Sequence, residues 1–87
     1  MGLSFPNPSR TYDAVRRRVC FWAYDSAMEV PFFLEEGVLL RLNPKTNNSE
    51  SAMLATFDAA RDRIQRIAER VHSFDRRSFH ILVASDF

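Results

Sequence analysis

Two histidines, one cysteine and a scatter of carboxylates are the side chains here that could carry chemistry. His72 and His80 have no Cys or further His at the spacing a zinc site uses, so both are expected to be ordinary surface or boundary residues. Cys20 lies in a β-prone run, where a thiol is usually inert packing. As a lone Cys it excludes an intramolecular disulfide and fits a reducing compartment. Asp13, Asp25, Glu29, Glu35, Glu36 and Asp86 offer carboxylates, yet a general acid needs burial or a like charge beside it, and the sequence displays neither. Asp13 and Asp25 each follow a Tyr where the chain turns. Each is expected to accept backbone N–H bonds there, with an Arg partner as the alternative. Two glycines, Gly2 and Gly37, cannot build a phosphate loop, and no Ser stands in a nucleophile elbow. No catalytic, cofactor-binding or metal-ligating set is expected, and the chain reads as non-enzymatic.

The elements that would position these groups are dominated by the stretch from Asn48 to Phe74. In Asn48-Ser49-Glu50 a capping residue with acid close behind opens a long run free of Gly and Pro, which predicts one long helix. Met53, Phe57, Ala60, Ile64, Ile67, Val71 and Phe74 recur at threes and fours, with Ala68 beside them, so one stripe is expected to be buried. A coiled-coil seam would need more heptads, and packing on a sheet is the better reading. Upstream, Leu3-Ser4-Phe5 alternates and is stopped by Pro6-Asn7-Pro8, which predicts a short first strand. Residues 9–13 read as a polar connection. Residues 16–24 and 29–35 read as a hairpin about Asp25-Ser26. Pro31 cannot donate to a ladder, which puts the second arm at an edge or a bulge. Residues 35–42 begin with acid, carry Arg41 near the end and stop at Asn43-Pro44, a short helix. Phe79 to Ala84 is the last strand.

The 87 residues amount to one domain over 1–87, in which a thin core buries about 60–65% of the surface of the unfolded chain. Hydrophobic content of 46%, with eight Phe, one Trp and two Tyr, excludes disorder and exceeds what a single helix-on-sheet core needs. Twelve bases against eleven acids leave +1, so no global field draws the protein to phosphate or membrane. No apolar run approaches the roughly 18 residues of a membrane span, and the first residues lack the features of a secretory signal. A cytoplasmic location without membrane contact is expected.

The element order β-β-β-α-α-β gives an α+β two-layer sandwich: a small, mostly antiparallel sheet with one short and one long helix on one face. The blocks Leu3-Ser4-Phe5-Pro6, Tyr12-Asp13, Val19-Cys20-Phe21-Trp22-Ala23-Tyr24-Asp25, Glu29-Val30-Pro31-Phe32-Phe33, residues 57–64 and the terminal Ala84-Ser85-Asp86-Phe87 resemble a small bacterial family, domain of unknown function number 1488. The resemblance spans nearly the whole chain. It implies a compact α+β fold and a bacterial source, and carries no activity, cofactor or catalytic residue with it.

Two helices can cover only one face of one sheet. With period two, Val19, Phe21 and Ala23 share one side of the first hairpin arm, while Arg16, Arg18, Cys20, Trp22 and Tyr24 share the other. If Val19 and Phe21 meet the helix stripe, then Arg16, Arg18, Trp22 and Tyr24 look outward, joined by Phe33 from the paired arm and His80 from the last strand. Such an aromatic and Arg patch fits an accessory module that contacts another protein or itself, in the latter case as a homodimer. The alternative is single-stranded nucleic acid stacked on the same face, against which the near-zero net charge counts.

Overall fold

The computed structural model describes residues 3–6, 9–47 and 49–87. Strand β1 (Arg10–Asp13) leads into the hairpin β2 (Arg18–Asp25) and β3 (Met28–Glu35). Helices α1 (Glu36–Leu42), α2 (Glu50–Ala59) and α3 (Arg61–Phe74) follow, then β4 (His80–Leu82) and a 3-10 turn at Ala84–Asp86. The sheet runs β1-β2-β3-β4, with the first two pairings antiparallel and β3 to β4 parallel. The parallel pairing follows from topology, since three helices carry the chain back across one face before β4 joins.

The hairpin is the rigid centre. Val19 lies opposite Leu34, Phe21 opposite Phe32 and Ala23 opposite Val30, and all six are buried. Ser26, first of the two turn residues, has φ 58, the feature that lets a two-residue turn match the twist of its strands. Pro31 precedes the point at which β4 begins to pair, at Phe32, so this stretch of β3 is locally an edge where a missing N–H costs little. Across the sheet Phe21 stacks on Phe32 at 5.3 Å and meets Phe57 of α2 at 5.2 Å. Val38, Leu39, Met53, Ile64, Ala68 and Leu82 complete the same core.

Three expectations about the elements are corrected. Leu3 to Phe5 is not a strand of the sheet: Ser4 makes a single two-way bridge to Tyr24, at 2.9 Å in each direction. The first true strand is β1, placed in the stretch expected to be a polar connection and tied down by Arg10, whose guanidinium grips Asp58 of α2 at 2.8 and 2.9 Å. The long helix is two helices. Ser49 opens α2, its Oγ accepting the Ala52 N–H, as the capping pattern predicts, whereas Asn48 lies outside the described residues. The ladder then breaks at Ala60, φ −106 and ψ 13, and resumes with Ile64 N–H to Ala60 O. Neither Gly nor Pro causes the break. It falls beside Asp58, which is held by Arg10 and by Arg61 at once.

The stripe also turns. Met53, Phe57, Ile64, Ile67 and Ala68 are buried, but Phe74 is 93% exposed and His72 only 5%. At about 100° per residue Phe74 lies roughly 80° to one side of Ile64 and His72 roughly 80° to the other. The sheet takes the His72 side.

Candidate interaction face and a buried imidazole chain

Alternation along the strands sorts every hairpin side chain onto one of two faces. The helices cover the face of Val19, Phe21 and Ala23. On the other face Arg18, Cys20, Trp22 and Tyr24 of β2 stand beside Pro31 and Phe33 of β3, all half-buried, with Thr11 and Asp13 of β1 at one flank and Ile81 of β4 at the other. No helix or strand among the described residues packs over them. Among the described N-terminal residues, Leu3 and Phe5 pack against the core while Ser4 is exposed. Phe33 anchors the patch: the Arg18 guanidinium sits 4.0 Å above its ring, and Phe79 meets it edge-on at 6.2 Å. Stacking on the ring offsets part of the cost of Arg18 Nε, which is buried without an acceptor. Cross-strand neighbours Asp13 and Glu35 flank Arg18, yet among the described residues it makes no ion pair.

Of the six residues expected on this face, Arg18, Trp22, Tyr24 and Phe33 are brought together there. Arg16 is not among them: β2 starts at Arg18, so Arg16 lies in the β1–β2 turn, exposed, with its guanidinium 3.4 Å from Asp13. Asp13 behaves as expected for a turn carboxylate. It accepts the Val15 and Arg16 N–H groups, and the latter bond above all holds its carboxyl below the usual carboxylate range. Cys20 is half-buried, and burial pushes its thiol up, away from the reactive thiolate.

His80 is the clear correction. It pairs with Phe32 in register, so it faces the helices, stacks on the Phe32 ring at 5.1 Å and is only 5% exposed. Neither histidine is a surface residue. His72 Nδ1 lies 2.8 Å from His80 Nε2, and His72 Nε2 lies 2.9 Å from Asp25 Oδ2. Asp25, His72 and His80 thus form one chain linking the β2–β3 turn, α3 and β4. The hydrogen bond from His72, followed by the nearby charge of Arg76 at 3.8 Å, holds the Asp25 carboxyl below its ordinary value. Burial, then the neighbouring His72, pushes His80 below 6.5. Two signals for the chain were present in the sequence. Asp25 continues the alternation of Val19, Phe21 and Ala23 toward the helices, and His72 follows Ile64 and Ala68 at steps of four. Among the described residues no group of three potential ligands is arranged to hold a metal ion.

A mixed four-stranded sheet with helices on one face and a bare aromatic face on the other defines the class, a two-layer α+β sandwich. The chain belongs to the family described as "Protein of unknown function (DUF1488)", which matches residues 3–81. Its fold is similar to that in the 1.60 Å crystal structure of a protein of unknown function from the same family in Shewanella loihica PV-4. That likeness has a TM-score of 0.79 at 22% identity, and it covers 92% of this chain and 90% of the other. No curated protein matches the chain.

Proposed function

We propose that this is a non-enzymatic accessory module of the bacterial cytoplasm, built as one domain, whose outer sheet face pairs with the same face of a second copy. The supporting observation is that Trp22, Tyr24, Phe33 and Ile81 lie on the face opposite the helix layer with no helix or strand among the described residues over them. Trp, Tyr and Arg are the side chains that dominate contact surfaces.

The arrangement along the strands favours a second copy as the occupant. Arg18 and Glu35 stand at one end of the hairpin and Tyr24 and Glu29 at the other, with Cys20, Trp22, Pro31 and Phe33 between. A two-fold axis across the strands lays the Arg18 end of one copy over the Tyr24–Glu29 end of its mate, so base meets ring and acid around an apolar centre. Strands of 4, 8, 8 and 3 residues, about 4.8 Å apart and about 3.3 Å per residue, present roughly 360 Å². Two copies then bury about 700 Å², which makes the pairing weak and reversible. The cytoplasmic reading is supported by the lone unpaired Cys20, and among the described residues no helix is long and apolar enough to cross a membrane.

Sedimentation tests the pairing. The mass of the native chain should rise from 10.1 kDa toward twice that value as concentration increases. Trp22→Ala should weaken the association about tenfold or more with an unchanged circular-dichroism spectrum. A monomer at every concentration contradicts the second-copy reading. Salt-sensitive oligonucleotide binding lost in Arg18→Ala would instead assign the face to nucleic acid.

A further inference from the structure

The open edge of β4 borders a cavity of about 670 Å³, a volume suited to a small molecule. Val71 and Phe74 of α3 form one wall, and Phe79, Ile81 and Val83 form the other. Phe74, Phe79 and Ile81 are 93%, 48% and 43% exposed, a concentration of solvent-facing apolar surface around one concavity. His80 also lines it, although only 5% of that residue is exposed. Its Nε2 is engaged by His72, and its Nδ1 makes no hydrogen bond among the described residues.

The chain of imidazoles fixes what that nitrogen offers. An ionised Asp25 can only accept, so His72 Nε2 carries a proton. Where His80 Nε2 is the donor of that pair, His80 Nδ1 keeps a lone pair, and His80 lines the cavity. The charged side chains of either sign that line the cavity are equal in number. Arg70 and Arg77 are matched by Asp75 and Asp86; Arg77 is bound to Asp75 at 2.7 Å, and Arg70 donates to the Asp86 carbonyl at 2.7 Å. A wall with a balanced rim favours neither anion nor cation. It suits a neutral, flat, apolar ligand with one donor.

We propose that this cavity binds a small aromatic molecule carrying a hydroxyl, whose O–H donates to His80 Nδ1 while its ring lies between α3 and β4. The site shares Ile81 with the sheet face proposed to pair, but does not rest on that pairing. Phenol and toluene, equal in shape except for the donor, are the probes. At pH 8, where an ordinary imidazole is neutral, phenol titrated into the isotopically labelled full chain should saturably shift the amides of Val71, Phe79, Ile81 and Val83. It should also move the His80 Nδ1 resonance as the lone pair gains a proton donor. Toluene should bind about tenfold or more weakly, because it offers His80 Nδ1 no donor. In His80→Phe, which keeps a ring against Phe32, the preference for phenol over toluene should vanish. Equal affinities in the native chain, or no saturable shift of those amides by phenol, would overturn the proposal, and that comparison needs no variant to fold.

Discussion

Ile64 sits where α3 meets the hairpin and is completely buried in the core that also holds Phe21, Phe32 and Phe57. Ile64→Ala removes three carbons from that site. At about 0.8 kcal/mol per buried carbon the transfer loss is about 2.4 kcal/mol, and incomplete collapse of the void adds up to about 2 more, giving about 2.5–4.5 kcal/mol. A chain of 87 residues has a stability of only about 5–10 kcal/mol, so the change consumes a large share of it. Urea unfolding followed by circular dichroism reads this as a midpoint lowered by roughly 2 M or more at unchanged slope. Arg66→Ala is the internal control. Arg66 is exposed on the same helix, and its loss should shift stability by no more than about 0.5 kcal/mol. A loss below about 1 kcal/mol for Ile64→Ala, or equal losses for the two variants, would refute the placement of α3 across the sheet.

Acid should weaken the native fold in two stages. His80 is held below 6.5 in the folded chain by burial, so the unfolded chain takes up that proton first and stability falls as the pH drops below about 6.5 toward the depressed folded value. Asp25, held below 3.8 by His72 and then Arg76, adds a second loss at more acid pH. Urea midpoints across pH 8 to 5 should show the first stage in the native chain and not in His80→Phe; a flat profile in the native chain contradicts the buried imidazole chain. At the start of α2, Ser49→Ala removes the acceptor of the Ala52 N–H and should cost about 0.5–2 kcal/mol by the same measurement, with Ser49→Asn close to native.

How far the sequence reaches depends on whether neighbours in the chain or neighbours in space decide the outcome. The hairpin is legible because eight successive residues of β2 obey one alternation, which puts Trp22 and Tyr24 on the face opposite Phe21. β1 is not legible. Arg10-Thr11-Tyr12-Asp13 carries no apolar alternation, and it becomes a strand because β2 offers an edge and Asp58 a partner for Arg10. The break at Ala60 is likewise tertiary, since nothing in the local run of good helix formers asks for it. His72 and His80 misled for a related reason. Each alone looks like a boundary residue, and only the meeting of α3, β4 and the β2–β3 turn lets three polar groups satisfy one another in the interior. The reading of His80 as outward-facing failed because β4 enters in parallel register with His80 beside Phe32, on the core side.

Mixing isotopically labelled and unlabelled copies and recording only contacts between them tests the central claim most directly. At concentrations where the mass has doubled, cross-copy contacts should join the rings of Trp22, Tyr24 and Phe33, with Arg18 near Tyr24 or Glu29 of the opposite copy. Cross-copy contacts that instead involve α3, or none at all from these rings, would contradict the account.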